Sequence, residues 1–128
     1  MILNLTQHVG TPDQGVTDLT GEARECLIAL LTVDALPTRE EIEQRANDIV
    51  LLAIMNGLGP DDGEDPVPAR AMIGGAPWMM SALEDALIDA GIEPVYAFSV
   101  RESTEQKQAD GSVRKINTFR HAGWVPAR

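Results

Sequence analysis

The sequence is poor in cysteine and has no long apolar run. It contains one cysteine, Cys26, which excludes an intramolecular disulfide and leaves no cysteine-based metal cluster. No window approaches the roughly 18 apolar residues that a membrane helix needs, and the N-terminal residues lack the basic and then apolar order of an export signal. We therefore expect a cytoplasmic protein that has no membrane partner.

Basic residues are scarce in most of the chain. The formal net charge is -10, which argues against binding to duplex nucleic acid. Residues 1–100 carry 4 basic and 17 acidic side chains, whereas residues 101–128 carry 6 basic and 3 acidic ones. This asymmetry has two interpretations. The cations either protect the edge of a C-terminal hairpin or form a small anion-binding site on an acidic protein.

Segments with the apolar character of strands alternate with segments of helical periodicity. The strand segments are residues 2–6, 70–73 and 94–104, and the helical segments follow Thr20, Thr38 and Pro77. This alternation favours a parallel sheet. We predict one domain over residues 1–128, a small Rossmann-like α/β sandwich with parallel central strands and a C-terminal antiparallel hairpin. Residues 58–70, rich in proline, glycine and acids, are predicted to form a flexible surface loop.

Ligands of parallel sheets bind outside the carboxyl ends of the strands. Three segments are expected at that edge: residues 6–8, 74–77 and 99–103. The glycine pair in the second segment lets backbone N–H groups approach a phosphate closely, and the helix that follows adds its positive dipole end. These features favour an anion-binding site. The alternative is that the glycines only make a tight connection between a strand and a helix.

The C-terminal hairpin contains the dipeptide DG at residues 110–111, which favours a two-residue turn. With that turn, Arg101 lies opposite Arg120 and Ser103 lies opposite Thr118. Two like charges that face each other are destabilising, so a bound anion between the arginines would turn this cost into a site. The alternative is that a bulge shifts the register, or that both side chains point into water.

Three ring-bearing side chains are candidates for chemistry or stacking. His8 and His121 are the two histidines of the sequence. A histidine at a strand end is commonly structural, but His8, placed opposite the glycine turn, is the better candidate for an acid or base. Trp78 falls on the first turn of its helix, where it can stack on a base or pack in a dimer interface.

Four segments together resemble a known family. They are the opening LNLTQHVGTPDQ, the GGAP turn with its helix, the strand GIEPVYAFSVRES and the closing VRKINTFRH. In this order they resemble small stand-alone CRISPR-associated Rossmann-fold (CARF-like) proteins. The resemblance implies a homodimer that binds a cyclic oligoadenylate, the second messenger of type III CRISPR defence, across its two-fold axis. Some members of that wider group cleave the ring, as ring nucleases, and some only sequester it.

The resemblance also implies a set of site residues, in which His8 and Arg101 would be catalytic and no residue would bind metal. The ligand-binding positions would be Thr6, Gln7, Gly74, Gly75, Ala76, Trp78, Ser103 and Arg120. RNA carries its own nucleophile in the 2′-hydroxyl, so alignment and charge stabilisation are enough to accelerate cleavage, and the resemblance implies no metal or other cofactor. The acidic segment 58–70 and the net charge depart from what this family implies for a polyanion binder.

Two other functions fit the composition. The first is an acidic inhibitor of phage type, an interaction protein in which residues 13–65 mimic nucleic acid and occupy a basic groove. Its activity would lie in Asp61, Asp62, Glu64 and Asp65. The second is an enzyme that acts on another phosphorylated small molecule, such as a nucleotide or a phosphosugar, at the same strand ends.

Overall fold

The computed structural model describes residues 1–59 and 69–128. The strands are β1 (Ile2–Asn4), β2 (Thr17–Asp18), β3 (Ala69–Met72), β4 (Ile92–Lys107) and β5 (Val113–Pro126). The helices are α1 (Gly21–Leu31), α2 (Arg39–Met55) and α3 (Pro77–Asp89), and a 3-10 helix spans Pro12–Gln14. Most of the predicted loop 58–70 lies outside the described residues.

The strands form one sheet in the order β2-β1-β3-β4-β5. β1 pairs in parallel with both β2 and β3, and β3 pairs in parallel with β4. β4 and β5 form the antiparallel hairpin. The predicted α/β fold, with parallel central strands and a C-terminal hairpin, is therefore confirmed. The two-residue strand β2 was not predicted, because it is too short to show a period.

The helices are positioned by capping and by apolar stripes. At the start of α2, the Thr38 hydroxyl accepts a hydrogen bond from the Glu41 amide at 3.1 Å, which is one of the two bonds of a capping box. At the end of α1, the Arg45 guanidinium donates to the carbonyl oxygens of Ala29 and Leu30 at 3.0 and 2.9 Å. The Ala29 carbonyl also accepts a hydrogen bond from the amide of the C-cap residue Thr32 at 3.3 Å. Arg45 binds carbonyls at the end of α1 and so joins the two helices.

The buried side chains of all three helices lie on one face of the sheet. Leu27, Ile49 and Leu83 belong to the same cluster as Leu3 and Ile92, which point to that face from β1 and β4. A second, smaller cluster covers the opposite face; its members are Ile2, Met72 and Val95, with Val16 and Trp124 packed against them. The fold is thus a helical layer on one side of a sheet, with only a thin apolar cover on the other.

The hairpin extends well past the rest of the sheet. β4 pairs with β3 only from Ile92 to Val95, whereas its pairing with β5 continues to Lys107. We call the outer part, residues 99–107 and 113–121, the ribbon. Most of its side chains are exposed. A two-stranded ribbon with no third strand is marginally stable by itself.

The register of the ribbon is shifted by one residue from the one that a two-residue turn would give, as in the alternative interpretation. Arg101 pairs with Phe119, and Ser103 pairs with Asn117. The cause is the turn: Gly111 has φ 86 but Asp110 does not have positive φ, so the two-residue turn, which needs both residues at positive φ, does not form. The loop instead has three residues, closed by the Gln108 amide, which donates to the Ser112 carbonyl at 2.7 Å.

A bulge marks the point where the ribbon leaves the sheet. Phe98 pairs with Gly123 while Ser99 pairs with His121, so Ala122 is the extra residue. Bulges bend a strand and increase its twist. The ribbon therefore departs from the direction of the central strands.

Candidate functional site

A cavity of about 800 Å³ lies at the carboxyl ends of the central strands. Its walls come from the segment after β1, the end of α1, the segment between β3 and α3, and the middle of β4. The predicted site residues that line it are Thr6, Gln7, His8, Gly74, Gly75, Ala76 and Trp78. Two of the three segments expected to meet at this edge are therefore together. We call this cavity the cleft.

The third predicted segment does not line the cleft. β4 contributes Tyr96 and Ala97 to its wall, but Arg101 and Ser103 follow on the ribbon. At the rise of an extended strand, Arg101 lies about 13 Å beyond Ala97. Arg120 pairs with Glu102 at 2.9 Å, so it is not a partner for Arg101. The predicted arginine pair across the ribbon is wrong, since the three-residue loop displaces it.

The segment after β1 is held by Asn4, a buried polar residue of the core. Its side-chain amide donates to the His8 carbonyl and to the Asp18 carboxylate, both at 2.7 Å. Its side-chain oxygen accepts from the amide and the hydroxyl of Thr6, at 2.9 and 2.7 Å. Because every polar atom of this side chain has a partner, residues 4–8 form a rigid turn at the rim of the cleft.

Asp18 on β2 completes this network. Besides the Asn4 bond, its carboxylate accepts a hydrogen bond from the Gly10 amide at 3.0 Å. These two bonds, the one from Asn4 first, lower the pKa of Asp18 below its usual 3.8. An ionised Asp18 therefore fixes the loop that carries His8 against the neighbouring strand.

The N-terminus of α3 opens into the cleft without a cap. Ala76 is the N-cap residue; it offers no side-chain hydrogen bond, and the first turn contains no acidic residue. Gly75 has φ 145, a conformation that favours glycine, and it lets the chain turn from β3 into the helix. The positive end of the helix dipole therefore faces the cleft.

The far wall of the cleft contains Tyr96. Its hydroxyl donates to the Glu84 carboxylate at 2.8 Å, and Glu84 also lies 3.6 Å from Arg128. Burial and this bond raise the pKa of Tyr96 to about 12. Tyr96 is therefore a neutral wall residue whose ring faces the cleft and whose hydroxyl is engaged behind it.

The 3-10 helix connects the cleft to β5. The Asp13 carboxylate accepts a hydrogen bond from the His121 amide at 2.9 Å. Bonds from Thr11 first, and then from His121, lower the pKa of Asp13 below its usual 3.8. The His121 ring packs against Trp124, with 4.7 Å between ring centroids. His121 therefore has a structural role at the base of the ribbon.

The cleft is almost free of charged side chains. Among its described lining residues, His8 and Tyr96 are the ionisable ones, and the others are neutral polar or apolar. The imidazole of His8 is exposed, which gives it access to a ligand. Arg24 lies just outside, where its guanidinium donates to the Gln7 carbonyl at 2.9 Å. The cleft thus offers backbone dipoles, hydroxyl and amide groups, and one exposed imidazole.

Three contributors to the site were not predicted: Asn4, Asp18 and Tyr96. A signal existed for Asn4, because a polar residue inside the apolar run ILNLT must find partners when it is buried. Asp18 and Tyr96 gave no such signal, since their roles depend on contacts distant in sequence. Asp61, Asp62, Glu64 and Asp65, which would carry the nucleic-acid mimic, lie outside the described residues.

Comparison with known proteins gives one match. The family model of the uncharacterized protein MJ1673 family matches residues 1–125. The chain belongs to this family. The matched range includes both the cleft and the ribbon of this MJ1673 family member. No curated protein and no solved structure matches the chain.

The described residues contain neither a membrane-spanning helix nor a metal-binding cluster. No helix in this part of the MJ1673 family member is long and apolar enough to cross a membrane. No group of three or more histidine, cysteine, aspartate and glutamate side chains with the geometry of a metal site occurs among residues 1–59 and 69–128.

Proposed function

We propose that this MJ1673 family member binds a cyclic oligoadenylate in the cleft. The observation that carries the proposal is the uncapped N-terminus of α3, which opens into a cavity lined by Trp78 and the turn residues 6–8. The backbone N–H groups of the glycine turn and the positive end of the helix dipole suit a phosphate. The half-exposed Trp78 indole suits an adenine, because every base has a face that stacks on an aromatic ring.

The ligand supplies the nucleophile in the proposed reaction. The 2′-hydroxyl oxygen attacks the adjacent phosphorus, the bond from phosphorus to the 5′-oxygen breaks, and a 2′,3′-cyclic phosphate and a 5′-hydroxyl result. The 2′-hydroxyl gives its proton to a base, and the 5′-oxygen receives a proton from an acid. His8 is the acid–base group, because its imidazole is exposed at the cleft and its backbone is fixed by Asn4.

The volume of the cleft supports a two-fold assembly. Cavities of roughly 300 to 1,000 Å³ hold one drug-sized ligand, and 800 Å³ lies within that range. A ring of several nucleotides is larger than such a ligand, so two clefts are needed to enclose it. Closed two-fold dimers are the commonest assembly of soluble proteins. We therefore include a homodimer in the proposal.

The proposal is tested by identifying the ligand and its product. Denaturation of the native protein, followed by mass spectrometry of the released small molecules, should show an oligoadenylate. Incubation with synthetic cyclic oligoadenylates should give linear products that end in a 2′,3′-cyclic phosphate, and His8→Ala should slow this step without loss of binding. Binding without cleavage by the native protein would show sequestration. Binding of mononucleotides alone would favour the enzyme on another phosphorylated small molecule.

A further inference from the structure

The cations of the ribbon lie away from the cleft, and Arg24 beside the cleft already donates to the Gln7 carbonyl at 2.9 Å. The described lining of the cleft contains no lysine or arginine, although a ring of phosphates needs positive charge. The ribbon has Arg101, Lys107 and Lys115 in exposed positions. None of these three side chains forms an ion pair with a described carboxylate. A separation of about 13 Å along β4 keeps the nearest of them, Arg101, out of its own cleft.

The two faces of the ribbon differ in their side chains, and one of them has the character of a docking face. Side chains alternate between faces along a strand, and the pairing places Arg101, Phe119 and Lys115 on one face. Phe119 is 73% exposed there. On the other face, Val100 and Ile116 are half-buried, and Arg120 is already paired with Glu102 at 2.9 Å. The first face combines the exposed Phe119 ring with Arg101 and Lys115, although Glu105 lies opposite Lys115 on it. The second face holds the Arg120–Glu102 pair and the exposed Arg114 but no exposed aromatic ring.

We infer that the ribbon of one protomer docks beside the cleft of a second copy of this chain and supplies Arg101 to its ligand. Charge complementarity selects the occupant. Residues 1–100 carry 17 acidic and 4 basic side chains, whereas residues 101–128 carry 6 basic and 3 acidic ones. A basic ribbon therefore attracts the acidic body of another copy. The Tyr96–Ala97 segment lines the cleft, so each ribbon begins at the edge where two clefts would meet.

This inference rests on the proposed function for the identity of the ligand, but its contact is testable without a ligand. All variants carry Cys26→Ala, which removes the exposed native cysteine. One chain then carries Ser103→Cys on the docking face, and a second, mass-tagged chain carries Val9→Cys at the cleft, where Val9 is 63% exposed. A short bis-maleimide should join them into a covalent heterodimer. Leu36→Cys, 98% exposed and outside the cleft lining, is the matched control and should give at least about five-fold less product.

Charge reversal provides a second readout. Lys115→Glu and Arg114→Glu alter neighbouring residues whose side chains point to opposite faces. Lys115→Glu should weaken self-association at least about ten-fold in analytical ultracentrifugation, whereas Arg114→Glu should change it less than about three-fold. Arg101→Glu should in addition abolish binding of a synthetic cyclic oligoadenylate.

The outcomes separate the two claims. Equal cross-linking to positions 9 and 36, or a chain that remains monomeric, would overturn the docking of the ribbon even if a ring still binds. An intramolecular cross-link in the Val9→Cys/Ser103→Cys double variant, with no intermolecular product, would also overturn it, since the ribbon would then cover its own cleft. Cross-linking between copies that bind no oligoadenylate would support the docking and contradict the proposed function alone.

Discussion

The cleft and the ribbon differ in the interactions that hold their residues in place. The cleft is built on buried residues, and its rim is fixed by Asn4, whose side-chain hydrogen bonds are all formed. The ribbon is exposed on both faces over most of its length and carries cations. The cleft therefore has a defined shape but almost no charged side chains, whereas the ribbon has charged side chains that are mostly exposed to solvent. A polyanionic ligand requires both, which is why the proposed site needs the two regions of different copies.

The largest expected effect contrasts one asparagine from each region. Asn4→Leu removes every side-chain hydrogen bond of a buried residue, so the half-buried Asp18 carboxylate keeps only the bond from the Gly10 amide and the Thr6 amide loses its partner. It should lower the free energy of unfolding by about 3 kcal/mol or more. Asn117→Ala removes only the exposed bond that its side-chain oxygen accepts from Ser103 at 2.7 Å, and should cost less than about 0.5 kcal/mol. Urea denaturation measures both, and similar losses would contradict the contrast.

The next prediction separates folding from binding at the N-terminus of α3. Ala76→Asp supplies the missing cap and should stabilise the protein by about 1 kcal/mol. The same carboxylate occupies the phosphate position and should weaken ring binding about 100-fold or more, because juxtaposed like charges cost several kcal/mol. Ala76→Ser supplies a cap without charge and should change affinity less than about five-fold. Thermal denaturation and calorimetry check these values, and full affinity in Ala76→Asp would show that no phosphate binds there.

Stacking in the cleft should give a smaller effect on binding. Trp78→Ala removes an indole that faces the cleft and should reduce ring affinity by about 1 to 3 kcal/mol. Ile88→Ala truncates a 40% exposed side chain at the other end of the same helix and should leave affinity unchanged. Fluorescence polarisation with a labelled oligoadenylate compares the two variants. An equal response would indicate that α3 affects binding only through folding.

The smallest effect concerns acid stability. The pKa of Asp18 is lowered in the folded state, so its stabilisation is present above the usual value of 3.8 and is lost as pH falls through the lower folded value. Asp18→Asn should flatten the pH dependence of unfolding below about pH 4. Asp110 in the turn of the ribbon also has a lowered pKa, mainly through Ser112, but it is exposed, so Asp110→Asn should flatten the curve less. Urea denaturation at a series of pH values around and below about pH 4 compares the two variants. An equal flattening in both would contradict the prediction.

The sequence predicted the central fold because its signals were local and repeated. Helices begin after Thr20, after Thr38 and at Pro77, and the alternation of strands and helices gives the parallel central strands, as predicted. The same reasoning brought two of the three expected segments, residues 6–8 and 74–77, to the cleft, since parallel strands end at one edge. It failed for the ribbon, where one additional loop residue changed every cross-strand partner of Arg101 and Ser103. It also missed Asn4 and Tyr96, whose roles depend on contacts between distant elements.

The central claim is that two copies of this chain share one ring. Isothermal titration calorimetry with a synthetic cyclic oligoadenylate, combined with light scattering on the same sample, measures it most directly. We predict a particle of twice the monomer mass of 13.8 kDa and one ring bound for every two chains, with Arg101→Ala reducing affinity by about 1.5 to 3 kcal/mol. A monomer that binds one ligand per chain, with Arg101→Ala as tight as the native protein, would contradict the account.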